Sequence, residues 1–278
     1  MIKQLATKLL PNTLQKTLQP YYQQVSLQKF RKKVEKKTWG ESVDFLNYVV
    51  RITDGPNFYI QFKDEFVNKI YHFDAQRNDP LIIDGGSNIG MSILYFKKIY
   101  PEARIIGFEP DPKIYELLEG NVSRNGLNGV TLVNSGLSAQ EGEGTFQADG
   151  SAGGYLGDGS GSITVRLEKL STYLSEPVDF LKLNIEGEEL PVLEEVVRSG
   201  KLRNVRELVL EYHSWPNVEQ RMGAILSLLD REGFRYLIHD FDEETSQVTK
   251  PPFQWTDKTM WFCLVYAKNV GNTVKGTM

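Results

Sequence analysis

The chain has 278 residues, 40% of them hydrophobic, and a net charge of −4. A chain of this length buries a core without covalent staples, and the lone Cys263 excludes an internal disulfide and suits a reducing cytoplasm. No apolar run reaches the ~18–20 residues of a membrane span, and the first residues lack a secretory-leader pattern, so a cytoplasmic protein is expected.

Charge divides the chain. Residues 1–40 carry nine Lys and Arg against Glu35 alone, a surplus of +8, which leaves −12 for residues 41–278. The acidic remainder argues against nucleic acid as a partner. Within the basic stretch, Ile2, Leu5, Leu9 and Leu10 recur at helical spacing up to Pro11, and Leu14 and Leu18 continue it. The run Lys29–Lys37 reads first as the solvated face of a helical lead-in. Alternatively, residues 1–40 suit weak peripheral contact with an anionic membrane, where each nearby Lys adds about 1 kcal/mol.

Residues 45–52 read as a strand by β-branched and aromatic content, Asp54-Gly55-Pro56 as a turn, and Phe58-Tyr59-Ile60 as a return strand. Residues 1–79 are therefore expected to form an extension and accessory cap. From residue 80 the pattern alternates. Strands are expected at Leu81–Asp84, Arg104–Phe108, Thr131–Asn134, Phe180–Ile185, Glu207–Glu211, Phe234–His239 and Met260–Ala267. Helices are expected near Gly90–Tyr100, Pro112–Asn125, Leu190–Ser199 and Val218–Glu232. Such alternation predicts an α/β fold with a parallel sheet covered on both faces. The last two strands have no helical segment between them and should pair antiparallel. The Gly- and Ser-rich segment 149–162 reads as a mobile surface loop, with a substrate lid as the alternative. Residues 80–268 are read as one ligand-binding domain and 269–278 as a disordered tail.

The chemistry concentrates at strand ends. Leu81-Ile82-Ile83 is a buried strand with Asp84 at its carboxyl end, and Gly85, Gly86 and Gly90 let the backbone turn into a helix. Ligands in open α/β sheets bind beyond the carboxyl ends of the strands, and free N–H groups at a helix start suit a carboxylate. Ser87, Asn88, Ile89 and Ser92 complete this cradle; Asp84 either binds a ligand ammonium or fixes the loop. The second strand ends in Glu109-Pro110-Asp111, where a carboxylate can accept from both hydroxyls of a ribose. Ser135, after the third strand, joins the same candidate set. A nicotinamide enzyme shares the ribose carboxylate, but Gly85-Gly86-Ser87-Asn88-Ile89-Gly90 is not G-x-G-x-x-G.

Together these residues resemble the FkbM family of methyltransferases. Asp84–Gly90 resembles its D-x-G-A-N-x-G loop, with Ser87 for the usual alanine, and Phe108-Glu109-Pro110 resembles its second motif. Asn121 and Asn125 resemble its asparagine-bearing helix end. Lys182-Leu183-Asn184-Ile185-Glu186-Gly187-Glu188-Glu189 resembles its K-x-D-x-E-G-x-E motif, and Leu210-Glu211-Tyr212-His213 its fifth-strand ending. The resemblance spans residues 80–265. It implies a class I, Rossmann-like seven-stranded sheet of order 3-2-1-4-5-7-6, S-adenosyl-L-methionine as cofactor, and O-methylation of a sugar or natural-product hydroxyl on a small-molecule or glycan acceptor. N-methylation of an amide or amine, or non-catalytic cofactor binding, are the alternatives. No feature fixes an oligomeric state.

Asn184 departs from the family aspartate. Asparagine keeps its hydrogen bonds but is a poor ligand for a hard cation, so no metal site is expected. Methyl transfer from a sulfonium needs alignment, and a hydroxyl acceptor benefits from a base. Asn184, Glu186, Glu211 and His213 are the candidates. Glu211 and His213, two apart, share a strand face, and histidine titrates nearest neutrality, so His213 is the preferred base. His72 and His239 are expected to be structural. Tyr21, Tyr22, Trp39, Phe58 and Tyr59 read first as core filling before the main fold, with stacking on a sugar ring as the alternative.

Overall fold

The computed structural model describes residues 25–148, 154–157, 162–216, 218–240, 250–253 and 255–271. The helical pattern before Pro11, Tyr21 and Tyr22, most of the Gly/Ser-rich segment and residues 272–278 lie outside them.

Residues 25–34 form a first helix, α1, whose Val34 is fully buried and whose Lys29, Arg31, Lys32 and Lys33 are exposed. A hairpin of β1 (Ser42–Phe45) and β2 (Tyr48–Arg51) follows, turning at Leu46-Asn47. The expected turn at Asp54-Gly55-Pro56 and return strand at Phe58-Tyr59-Ile60 are instead one helix, α2 (Gly55–Gln61). Asp54 caps it by accepting from the Asn57 N–H at 2.9 Å, and the proline occupies the first turn, where it gives up no bond. A Cβ on Gly55 would lie 1.8 Å from the Val34 carbonyl oxygen, so α1 crosses α2 where only glycine fits. The helix continues as a π-helical segment, Phe62–Asn68. Phe58, Phe62 and Phe66 recur at four-residue spacing and stack along it. That helical period outweighs the strand propensity of single aromatic residues.

The central sheet contains β3 (Leu81–Gly85), β4 (Arg104–Phe108), β5 (Val130–Val133), β10 (Val178–Leu183), β11 (Val205–Ser214), β12 (Phe234–His239) and β13 (Trp261–Asn269). Their spatial order is β12-β13-β11-β10-β3-β4-β5. Counted by chain order within this sheet and read from the β5 edge, that is 3-2-1-4-5-7-6. β5, β4, β3, β10 and β11 pair in parallel; β13 pairs antiparallel with both β11 and β12. Helices α3 (Met91–Ile99) and α4 (Pro112–Arg124) cover one face, packing Ile93, Phe96 and Leu118 on Ile82, Ile105 and Phe180. Helices α5 (Glu189–Arg198) and α6 (Met222–Arg231) cover the other, packing Val192, Val196 and Leu228 on Leu181 and Leu208. Each such buried aliphatic side chain contributes about 1.5–3 kcal/mol.

A four-stranded sheet, absent from the sequence reading, lies between β5 and β10. Its strands β6 (Gly136–Leu137), β7 (Gly142–Gln147), β8 (Tyr155–Leu156) and β9 (Ile163–Glu168) run in the order β6-β9-β7-β8.

The N-terminal hairpin is fastened by the two asparagines of α4. Asn121 accepts from the Arg51 N–H at 2.8 Å and donates to the Arg51 carbonyl at 2.9 Å; Asn125 does the same with Val49, at 2.9 Å each way. Their side-chain amides complete the edge of β2 as a neighbouring strand would. Asn121 also donates to the Ile89 carbonyl at 2.8 Å, joining hairpin, helix and glycine loop.

Candidate active site

The carboxyl ends of β3, β4, β10 and β11 open into a cavity of about 900 Å³. Pockets for small ligands run to about 1,000 Å³, so this one has room for a nucleotide-sized cofactor and a second molecule. α1 with the turn after it, α2 and the π-helical segment form its outer wall through Arg31, Lys36, Tyr59, Lys63 and Glu65. Phe146 and Leu156 of the small sheet close one end.

The glycine loop is shaped by positive φ at Gly86 (81°), Asn88 (48°) and Gly90 (91°). A Cβ on Gly86 would lie 1.9 Å from the Asn184 carbonyl oxygen, so the β3 and β10 loops meet where no side chain fits. Gly86, Ser87, Asn88 and Ser92 line the cavity; Asp84, Gly85, Ile89 and Gly90 lie behind its wall. Asp84 is fully buried, accepts from the Ser92 hydroxyl at 2.5 Å and pairs with Lys182 at 2.9 Å. Of its two expected roles, it is therefore placed for fixing the loop. Lys182 also donates to the Gly86 carbonyl at 2.9 Å and sits 5.3 Å from the Tyr71 ring.

Glu109 lines the cavity just past β4, 5% exposed, and accepts from the Asn88 and Asp111 N–H groups at 2.9 and 3.0 Å. Burial pushes its carboxyl up to about 7, against those two donors. Pro110 and Asp111 also border the cavity, but the Asp111 carboxylate caps α4, accepting from the Lys113 N–H at 2.8 Å. Ser135 lines the cavity too, and its buried hydroxyl oxygen has no hydrogen-bond partner.

All four expected catalytic residues reach the same cavity. Asn184 donates to Glu211 at 3.0 Å, and the Tyr71 hydroxyl donates to the other oxygen of that carboxylate. Glu186 sits at φ 54° and Gly187 at φ 106°. This turn is tied by Glu189, whose carboxylate accepts from the Ile185 and Gly187 N–H groups at 3.1 and 3.0 Å. The last glutamate of the motif thus braces the turn that carries Glu186 to the cavity. His213 Nε2 lies 3.6 Å from Glu186 Oε1. Its ring stacks on Trp215 at 5.5 Å and 6° and meets Phe262 edge-on at 4.7 Å.

Sequence reasoning missed Glu65, Tyr71, Lys182, Trp215 and Phe262 as lining residues; Lys182 alone had a signal, the first position of its motif. His72 and His239 stay outside the cavity. The first bonds the Tyr95 hydroxyl at 3.0 Å, and the second is exposed on β12. Phe58 is core, as expected, whereas Tyr59 faces the cavity and Trp39 is 46% exposed.

Residues 84–236, more than half of the chain, match the family described as the methyltransferase FkbM domain. Methyltransferase sdnD of Sordaria araneosa is 29% identical over 217 residues, spanning 62% of this chain and 80% of that protein. Methyltransferase 1 of Beauveria bassiana is 28% identical over 159 residues, spanning 47% of this chain and 64% of that one. The crystal structure of methyltransferase FkbM from Methylobacillus flagellatus aligns with a TM-score of 0.45 at 15% identity, over 68% of this chain and 44% of that one. With the match to its domain reaching from Asp84 through the motifs that build the cavity, the chain belongs to the FkbM family and is an S-adenosylmethionine-dependent methyltransferase.

Proposed function

We propose that the chain methylates a hydroxyl of a sugar or natural product, with His213 as the base. The observation that carries this is the setting of His213 at the cavity wall. Its imidazole is held between Trp215 and Phe262 with Nε2 3.6 Å from the Glu186 carboxylate. An imidazole that takes a proton there gains an opposite charge beside it, and the two aromatic rings offer a face to a sugar ring.

The residues present fit the cofactor. A buried carboxylate and an unpartnered hydroxyl, Glu109 and Ser135, face a cavity large enough to hold it. In this reading Glu109 accepts from the ribose hydroxyls, Ser135 meets the base, and Gly86–Asn88 with Ser92 flank the methionine end. When bound, the cofactor supplies a methyl group on an already activated sulfonium. The remaining work falls to alignment of the acceptor by Asn184 and Glu186 and to proton removal by His213.

Two results are expected. S-adenosylhomocysteine binds in calorimetry, and Glu109→Ala weakens it by about 1–3 kcal/mol. Because protonation removes the acceptor of the ribose bonds, wild-type affinity falls as pH drops below about 7; a flat profile would take Glu109 out of the ribose site. Transfer also survives EDTA, since Asn184 stands where a hard carboxylate would hold a divalent ion. Loss with EDTA and recovery with Mg²⁺ would refute this.

Transfer of a tritiated methyl group to a panel of sugars, glycosylated natural products and amines tests the acceptor class. O-methyl ethers are expected. A product labelled only on nitrogen would favour the second reading, which the Asn184 side-chain oxygen supports: it is buried without a hydrogen-bond partner and its residue lines the cavity.

A further inference from the structure

Glu65, on the π-helical segment, is 6% exposed, lines the cavity and has one carboxyl oxygen without a hydrogen-bond partner. We propose that Glu65 binds the α-ammonium group of S-adenosylmethionine. The proposal rests on the cofactor assignment above.

The strand-end carboxylate, for which binding that ammonium was one of two expected roles, does not line the cavity. Asp84 is committed to Lys182 and Ser92 and is fully buried. Glu211 already accepts from Tyr71 and Asn184. Glu65 is a buried carboxyl of this cavity with an oxygen still open to a donor. The charged groups acting on it are Lys182 from β10, Asp84 from β3, Glu211 from β11 and Asp64 from its own segment; the Tyr71 and Tyr95 hydroxyls feel its charge in turn. Lys182 also bonds the carbonyls of Gly85 and Gly86, which ties it to the glycine loop.

Asp84, Glu211 and Glu65 all act on one buried ammonium, that of Lys182, while the other cations of the cavity, Arg31, Lys36 and Lys63, stand on its less buried outer wall. Without a further cation, burial pushes the Glu65 carboxyl well above the ordinary range. Lys182 opposes that rise and Asp84, Glu211 and Asp64 add to it. An arriving ammonium reverses the balance. The Glu65 carboxylate accepts from it, and an N–H⁺ to carboxylate bond forms that favours the charged form.

Calorimetry at pH 7 in two buffers of different protonation enthalpy, with S-adenosylhomocysteine and 5′-methylthioadenosine as ligands, tests this. The second ligand keeps the nucleoside and lacks the amino acid. Glu65→Gln is expected to weaken S-adenosylhomocysteine about 10- to 100-fold and to lose whatever proton release Glu65 contributes on binding it. It should bind methylthioadenosine as the wild type does, which also shows that the variant folds. Unchanged S-adenosylhomocysteine affinity and proton release would overturn the proposal. So would equal losses for both ligands, or a defect seen only in acceptor-dependent turnover, which would move Glu65 to the acceptor site. A wild type that binds methylthioadenosine and S-adenosylhomocysteine with Glu65 silent refutes this inference alone; one that binds neither refutes the cofactor assignment with it.

Discussion

Lys182→Met is expected to lower the melting temperature by about 6–20 °C, corresponding to a loss of about 3–5 kcal/mol when one partner of a buried pair is removed. The side chains of Lys182 and Asp84 are 3% and 0% exposed and 2.9 Å apart. Methionine fills the aliphatic space but leaves the Asp84 carboxylate in the core with Ser92 as its hydrogen-bond donor. It also removes the bonds to the Gly85 and Gly86 carbonyls, so the loop loses its anchor as well. The double variant Lys182→Met with Asp84→Asn should recover part of the loss, because no uncompensated charge remains; the cycle measures the coupling directly. Burial pushes the lysine ammonium down, while Asp84, Glu211 and Glu65 push it up by more, so its net shift is upward. A raised lysine stabilises the fold below its unfolded value and loses that contribution as pH rises through the folded one. The lysine's contribution therefore holds through neutrality and is lost in alkali. Lys182→Met melting together with the wild type would show that the pair is dispensable.

The parts of this site that were readable in the sequence are those in which local pattern and function coincide. β3 and β4 are short apolar runs stopped by Asp84-Gly85-Gly86 and Glu109-Pro110-Asp111, so both the strand and its cavity-facing end are legible in one segment. Asn184, Glu186, Glu211 and His213 are legible for the same reason, at the ends of β10 and β11. The small sheet was not. β6 and β8 are two residues long and β7 begins Gly-Glu-Gly, too short and too glycine-rich for alternation to register. The outer wall was misread because Asp54-Gly55-Pro56 serves equally as a turn and as a helix start. The four-residue spacing of Phe58, Phe62 and Phe66 was the signal that separates them. Glu65 and Tyr71 carry no motif at all. Tyr71 reaches Glu211 across 140 residues of sequence, and Glu65 becomes chemically distinct only where the fold buries it beside Lys182.

His213→Ala is expected to lower turnover by about 10²- to 10⁴-fold, the span for loss of a general base. Affinity for S-adenosylhomocysteine should hardly change, because the glycine loop and Glu109 belong to β3 and β4 while His213 closes β11. The wild-type rate should rise with pH through one ionisation, since the neutral imidazole accepts the acceptor's proton, and that step should vanish in the variant. Glu186→Gln separates base from brace. It keeps the shape of the turn that Glu189 ties but removes the charge 3.6 Å from His213 Nε2. Its rate should fall less than that of His213→Ala, and its pH step should move to lower pH, because the imidazolium loses a neighbouring anion. A His213→Ala variant that no longer binds S-adenosylhomocysteine would make the histidine structural, held by Trp215 and Phe262 for packing alone. A variant with near-normal turnover would leave alignment by Asn184 and Glu186 as the source of the rate. Loss of turnover with an unchanged pH step would show that the ionisation belongs to another group of the cavity. Glu109, raised to about 7, is the first to test, and Glu109→Gln then removes the step that His213→Ala leaves.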